Sequence, residues 1–443
     1  MLRNAADRQI LAVAVPALFA LLAEPLMLLA DTAIIGHLGT PELGGLAAAS
    51  VVLGTVVGLC VFLAYGSTAS VARDHGAGDE RSAYTLAISS LWLAAGLGIV
   101  LGIAVAVTSG PLAAALSSSD QVAGFARDYL VVSALGVPAV LLVLAATGAL
   151  RGVLDLRTPL VVTIAANVLN VVLNLLLVYG LDGSVRGAAA GTVIAQWCAA
   201  AWLVAVVVRR ARPARASTRP HVGRILGAAR EGVPLIVRTH TLRVAVVLAA
   251  LVASGLGDVQ LAAHQVAATI VTFLAFGLDA IAIAGQTLTG RSLGAGDPVR
   301  TRALTRRMIA WGTGTGLGAG ALLAVLAPWL PRLFTSDPAV QDVLVPALLV
   351  VAVIQPLSGV VFVLDGVLIG AGDGVYLAIA GLGVLAAYVP LVALVGLTDG
   401  GFTWLWVTYG AFIAARLVTL WLRQRGDAWM VLGATPATRS RPR

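Results

Sequence analysis

The sequence contains no lysine, only two cysteines and few charges of either sign. Of 443 residues, 29 are basic and 21 acidic, so charged residues make up 11% of the chain, less than half the roughly 25% of an ordinary globular protein. So few charges cannot cover a soluble surface of this size, which excludes the string of soluble domains that length alone suggests. Cys60 and Cys198 both lie in apolar stretches and offer neither a disulfide framework nor a metal cluster. Signatures such as H-E-x-x-H and G-x-S-x-G do not occur. The chain therefore reads as a non-enzyme that needs no cofactor. Aromatics are scarce at 6%, and no basic stretch is interleaved with them. The net charge of +8 thus points away from nucleic acid. Arginine as the sole basic residue reads as base composition rather than as selection at particular sites.

What is abundant is apolar sequence: hydrophobic residues make up 59%, with a mean hydropathy of +0.96. A helix needs about 20 apolar residues to cross a ~30 Å hydrocarbon layer. Apolar blocks of that length cover 9–36, 46–72, 84–107, 128–150, 158–180, 187–208, 225–253, 261–289, 305–327, 342–370, 375–396 and 402–422. The expectation is an all-α integral membrane protein with twelve transmembrane helices. The first block is too long for a cleavable signal peptide and holds Glu24 and Asp31. With an even number of spans both termini share one side. Twenty-three arginines then fall on that side, against Arg127, Arg186 and Arg332 on the other. By the positive-inside rule the termini are cytoplasmic, in a bacterial inner membrane.

The chain also repeats itself at an offset of 218. Pro16 falls on Pro234, Arg73 on Arg291, Pro138 on Pro356, Gly152 on Gly370 and Asp155 on Asp373. Residues Gly76-Ala77-Gly78-Asp79 fall on Gly294-Ala295-Gly296-Asp297. Six spans per half is even, so the halves share orientation: two parallel six-helix lobes around a central cleft, a geometry suited to alternating access. The expected organisation is a lobe over 1–208, a cytoplasmic linker over 209–224, a second lobe over 225–425 and a tail over 426–443. Pro16 and Pro234 each interrupt the first helix of a lobe, where a missing backbone bond permits a bend.

These residues resemble the multidrug and toxic compound extrusion (MATE) family, in its DinF-like branch. The resemblance rests on Pro16, the run from Asp31 to Gly39, Arg151-Gly152, the Asn-rich fifth helix and Ala263-His264-Gln265. It continues through the run from Asp279 to Asp297, Asp365-Gly366 and Gly370 to Asp373. It implies a secondary antiporter, acting as a monomer, that exports small cationic or amphipathic molecules in exchange for protons, with sodium as the alternative ion. A lipid-linked precursor flippase of the same superfamily is the rival function, kept open by Arg238 and Arg243.

Ionisable residues at bilayer depth are costly and default to functional hypotheses. Counted from the outer helix ends, Asp31, Asn174 and Thr192 all lie ~7–9 Å down. Asn170 shares a face with Asn174, Asn167 lies a turn earlier, and Tyr129 opens the fourth helix at the same end. One carboxylate among neutral hydrogen-bonding groups can alternate between protonated and ionised forms. The resemblance carries an ion-coupling role onto Asp31, Tyr129, Asn170, Asn174 and Thr192. Relatives often carry aspartate where this chain has Asn174, so here the acid stands single. Glu24, two turns before Asp31, is placed to line the same cleft. In the second lobe, Asp279 and Arg238 both fall near mid-depth and suggest a buried ion pair. Asp365, near the inner end of its helix, is expected to meet the cytoplasmic loops. Arg243, Gln286 and His240 are further cleft candidates, and His264 reads as a hydrogen-bonded core residue.

Overall fold

The computed structural model describes residues 5–398 and 401–434, apart from the side chain of Glu24. The described residues form twelve helices long and apolar enough to span a membrane. They are α1 (Ala5–Gly36), α2 (Thr40–Gly76), α3 (Glu80–Leu116), α4 (Asp120–Gly152), α5 (Arg157–Gly180) and α6 (Ser184–Ala211). Then follow α7 (Val222–Leu256), α8 (Asp258–Gly294), α9 (Pro298–Leu326), α10 (Pro338–Gly370), α11 (Gly374–Leu397) and α12 (Gly401–Arg425). Eleven of the twelve predicted blocks lie inside one of them, and the block 305–327 runs one residue past the end of α9. Most of the helices run a few residues longer than the apolar blocks. The side chains of Asp79, Asp297 and Asp337 accept backbone N–H groups at the starts of α3, α9 and α10. Large apolar side chains such as Val107 and Leu397 stand 76% and 83% exposed, the outward face expected of helices in lipid. Three helices are irregular. A turn at Val61 breaks α2, a 3-10 segment at Ala134–Gly136 precedes Pro138 in α4, and α5 ends in a π turn at Leu176–Gly180.

The repeat appears as matched local geometry. Gly78 and Gly296 both take positive φ, +79° and +71°, before the Asp79 and Asp297 caps. Asp155 accepts from Arg210 Nη2 at 2.5 Å, and its repeat mate Asp373 accepts from Arg423 Nε at 2.7 Å. Each contact ties the last helix of a repeat to the turn after its fourth. Burial by itself would raise the Asp155 carboxyl. Hydrogen bonds from Thr158 and the Arg210 guanidinium outweigh it and hold the group below its ordinary range. One turn is unequal: Gly372 has φ +75°, whereas its mate Leu154 holds φ +63°. A side chain in the left-handed region costs roughly 1–2 kcal/mol, part of which glycine returns as chain entropy. Leu154→Gly is expected to keep or raise stability by up to about 1 kcal/mol, whereas Gly372→Leu loses about 1–2 kcal/mol. Thermal unfolding in detergent checks this, and equal effects of the two changes would contradict it.

The chain divides into two compact units, and the division does not fall in the expected 209–224 stretch. One unit, called the first, holds Phe19–Gly232 and the tail from Gly433. The second holds the N-terminal segment through Leu18 together with Val233–Leu432. The boundaries cut α1 two residues after Pro16 and α7 one residue before Pro234, at the two positions where proline removes a backbone hydrogen bond. The first turns of α1 are held in the second unit by Asp7, fully buried. It accepts from Arg307 Nε and Nη2 at 2.5 and 2.7 Å and from Trp311 Nε1 at 2.8 Å. Beyond α12, Asp427 pairs with Arg302 and Trp429 is 1% exposed, both in the second unit. In the first unit, Gly433 accepts from Arg73 Nε at 3.0 Å.

Candidate functional site

In the first unit four helices converge on Asp31. Asn167, Asn170 and Asn174 recur at three- and four-residue intervals along α5, which sets them on one face. Asn174 Nδ2 donates to Asp31 Oδ1 at 2.7 Å, and the same nitrogen stands 3.4 Å from Asn170 Oδ1. Asn170 Nδ2 donates to Thr192 Oγ1 at 2.8 Å, and Thr192 in turn donates to the Ala188 carbonyl in α6 at 3.0 Å. Asp31 is 4% exposed, and Asn170 and Asn174 are fully buried. Tyr129 of α4 is buried with its hydroxyl beside Thr192 and Ser133, within reach of the Asp31 charge. The predicted cluster of Asp31, Asn170, Asn174, Thr192 and Tyr129 is thus one contiguous neighbourhood. Asn167 turns elsewhere, donating to the Ala23 carbonyl at 2.7 Å and fastening α5 to α1. Glu24 belongs to α1, but its side chain lies outside the described residues.

Two supports were not legible in the sequence. Gly191 of α6 faces α5 so closely that a Cβ there would stand 3.2 Å from the Asn174 backbone nitrogen and collide with its amide oxygen. That oxygen is buried and has no hydrogen-bond partner among the described residues. The π turn ending α5 brings Tyr179 to the C-terminal end of α1, where its hydroxyl donates to the Ile34 carbonyl at 2.6 Å. A π turn shifts the face of every later residue, so α-helical spacing misplaces Tyr179.

The second unit corrects the pairing expected from depth. Asp365 does not meet the cytoplasmic loops: it is 5% exposed and ion-paired to Arg238, with Arg416 Nη2 at 3.3 Å from the same carboxylate oxygen. The stretch Val363–Gly370 of α10 is buried throughout, because α8, α9 and α12 pack against α10. Asp279 of α8 is half-buried and exerts its charge on Arg416. Arg416 falls inside the apolar block 402–422, but nothing in its spacing along α12 points to α10. Beside these groups is a small cavity also lined by Thr241, Gly381 and Thr419. The remaining candidates do not join it. Arg243 is exposed, and Gln286 is buried with its backbone carbonyl against Gly370. His240 Nδ1 lies 2.8 Å from the Ile236 carbonyl of its own helix. His264 is buried, but its Nδ1 has no hydrogen-bond partner among the described residues and its ring packs 5.5 Å from that of Trp406. The expectation of a hydrogen-bonded His264 is met by ring packing instead.

Known proteins resemble the chain over nearly its whole length. A family model described as MatE matches residues 16–176 and 234–393, one stretch in each repeat. Protein DETOXIFICATION 44, chloroplastic, of Arabidopsis thaliana is 32% identical over 97% of this chain and 84% of its own. DNA damage-inducible protein F of Escherichia coli K12 is 28% identical over 96% of this chain and 94% of its own. Among solved structures, a MOP superfamily transporter from Pyrococcus furiosus superposes with a TM-score of 0.86, at 20% identity and 96% coverage of both chains. That likeness speaks to the fold.

Proposed function

The chain belongs to the MatE family of transporters, and we propose that it is an antiporter exporting cationic or amphipathic organic compounds in exchange for protons by alternating access. The observation that carries this reading is the buried Asp31 hydrogen-bonded to Asn174. A carboxyl held by a neutral amide is a group that can take up and release a proton. An asparagine suits both states. Its N–H donates to the ionised carboxylate, and after rotation of the amide its oxygen accepts from the protonated one. Asn170, Thr192 and Tyr129 stabilise whichever amide orientation is required. Asn174 leaves one acid rather than two around the site, which favours a proton over a sodium ion. Proton uptake at Asp31 from outside removes the charge that retains an exported cation, and the cation leaves. The Pro16 and Pro234 positions, at which α1 and α7 change unit, are the natural flexion points for the conformational step.

Proteoliposome efflux of a fluorescent organic cation, under separately imposed proton and sodium gradients, tests this. Efflux driven by the proton gradient alone is expected. Efflux driven only by sodium would overturn the choice of ion, and none with either would overturn antiport.

The arginine distribution supports termini inside the cell, and we propose a monomer in a bacterial cytoplasmic membrane. Ser217→Cys, in a Cys198→Ser background because Cys198 is exposed, is expected to resist an impermeant thiol reagent in intact cells and react after permeabilisation. Labelling from outside would refute the topology.

A further inference from the structure

In the first unit α2, α3 and the first turns of α7 form a small open cavity. On the α2 and α3 side Phe62, Leu63, Leu86 and Leu93 line it together with three serines. On the other side are two opposite charges, Arg224 and Glu231. They are seven residues apart on α7, two turns, and so share a face. Glu231 Oε2 accepts from Ser70 Oγ at 3.1 Å, which holds the carboxylate in place with Arg73 close by. Arg224 is the unfinished partner: its Nη1 is buried and has no hydrogen-bond acceptor among the described residues. A buried guanidinium nitrogen left so is costly, and an oxygen from outside the chain relieves the cost. Neither charge belongs to the repeat, since the mates at the 218-residue offset are Ala6 and Val13. The pair is therefore not something the six-helix fold requires.

We infer that this cavity binds a zwitterionic phospholipid, its phosphate on Arg224, its primary ammonium on Glu231 and an acyl chain along Phe62, Leu63, Leu86 and Leu93. Guanidinium forks match phosphate oxygens, and a carboxylate held by one hydroxyl keeps acceptor sites for an ammonium. Pockets between helices on the cytoplasmic side are where head groups of the inner leaflet are reached. The site is independent of ion coupling at Asp31, so either assignment can fail alone.

The test is ligand-induced thermal stabilisation of the purified full-length protein, titrated with lysophosphatidylethanolamine, lysophosphatidylglycerol and the tail-free head O-phosphoethanolamine. The ethanolamine lysolipid is expected to bind tightest. Arg224→Gln weakens both lysolipids by about tenfold or more, and Glu231→Gln abolishes the preference for ethanolamine over glycerol. Leu93→Trp, which fills the α2 and α3 side without touching either charge, weakens both lysolipids. Two results would overturn the site: unchanged lysolipid affinities in Arg224→Gln and Leu93→Trp, or binding of O-phosphoethanolamine as tight as that of its lysolipid, which would assign the head-group contacts to a free metabolite.

Discussion

Asp31→Asn is expected to insert and fold like the parent protein and to lose gradient-driven efflux. The substitution keeps the size of the side chain and mimics the protonated state, so the buried neighbours Asn170, Asn174 and Thr192 retain their packing. It removes the one group of the cluster able to take up a proton at physiological pH, since amides and hydroxyls do not titrate there. Transport down the substrate's own gradient survives, while acceleration by an imposed pH difference disappears. Asn174→Leu separates the proton from its partner. It leaves the acid but removes the amide that serves both protonation states, so efflux falls and its pH dependence moves, whereas a purely structural Asn174 would change abundance alone. Full pH-driven transport by Asp31→Asn would show that the carboxylate is not the coupling group.

Asp365→Ala should bring the largest loss of stability. Removing it takes away the carboxylate that pairs with both Arg238 and Arg416, whose side chains are 13% and 11% exposed, and leaves Arg416 the charge of Asp279. Breaking a buried pair by deleting one partner typically costs about 3–5 kcal/mol, because the remaining charge is left without compensation. Arg238→Ala acts in the same sense but less strongly, because Asp365 keeps Arg416. Replacing Asp365, Arg238 and Arg416 together by apolar residues of similar volume is expected to restore most of the loss. Fluorescence-detected thermal unfolding of the purified variants reads this directly, and transport per folded molecule should change little. Wild-type stability for Asp365→Ala would mean that the cluster is not structural.

How far the sequence carries differs between the two units, for physical reasons. Spans are written in runs of apolar residues, and a run survives any tertiary arrangement, so all twelve were legible. The Asp31 neighbourhood was legible as well. Its three asparagines lie on one helix, where spacing fixes the face, depth set the other members level with them, and the family resemblance joined them into one site. The Asp365 cluster draws on α7, α10 and α12, and depth says nothing about which helix stands beside which. Counting therefore offered Asp279 for Arg238, where the structure supplies Asp365. Division of α1 and α7 between units escaped the linear reading because a proline marks where a helix bends, not where it changes neighbours. Gly191 and Arg224 escaped it for a simpler reason. A close approach and a missing acceptor are properties of the space around a residue, and a string of letters records neither.

The central claim is that one carboxylate, Asp31, holds the coupled proton and gives it up when a cation binds. It is tested most directly by adding an organic cation to the purified protein in weakly buffered detergent solution and following the pH with an indicator dye. The account predicts that the parent protein releases protons in proportion to the cation bound, and that Asp31→Asn, which lacks the retaining charge, binds the cation weakly and releases no protons even at saturating cation. Equal proton release from Asp31→Asn would contradict it.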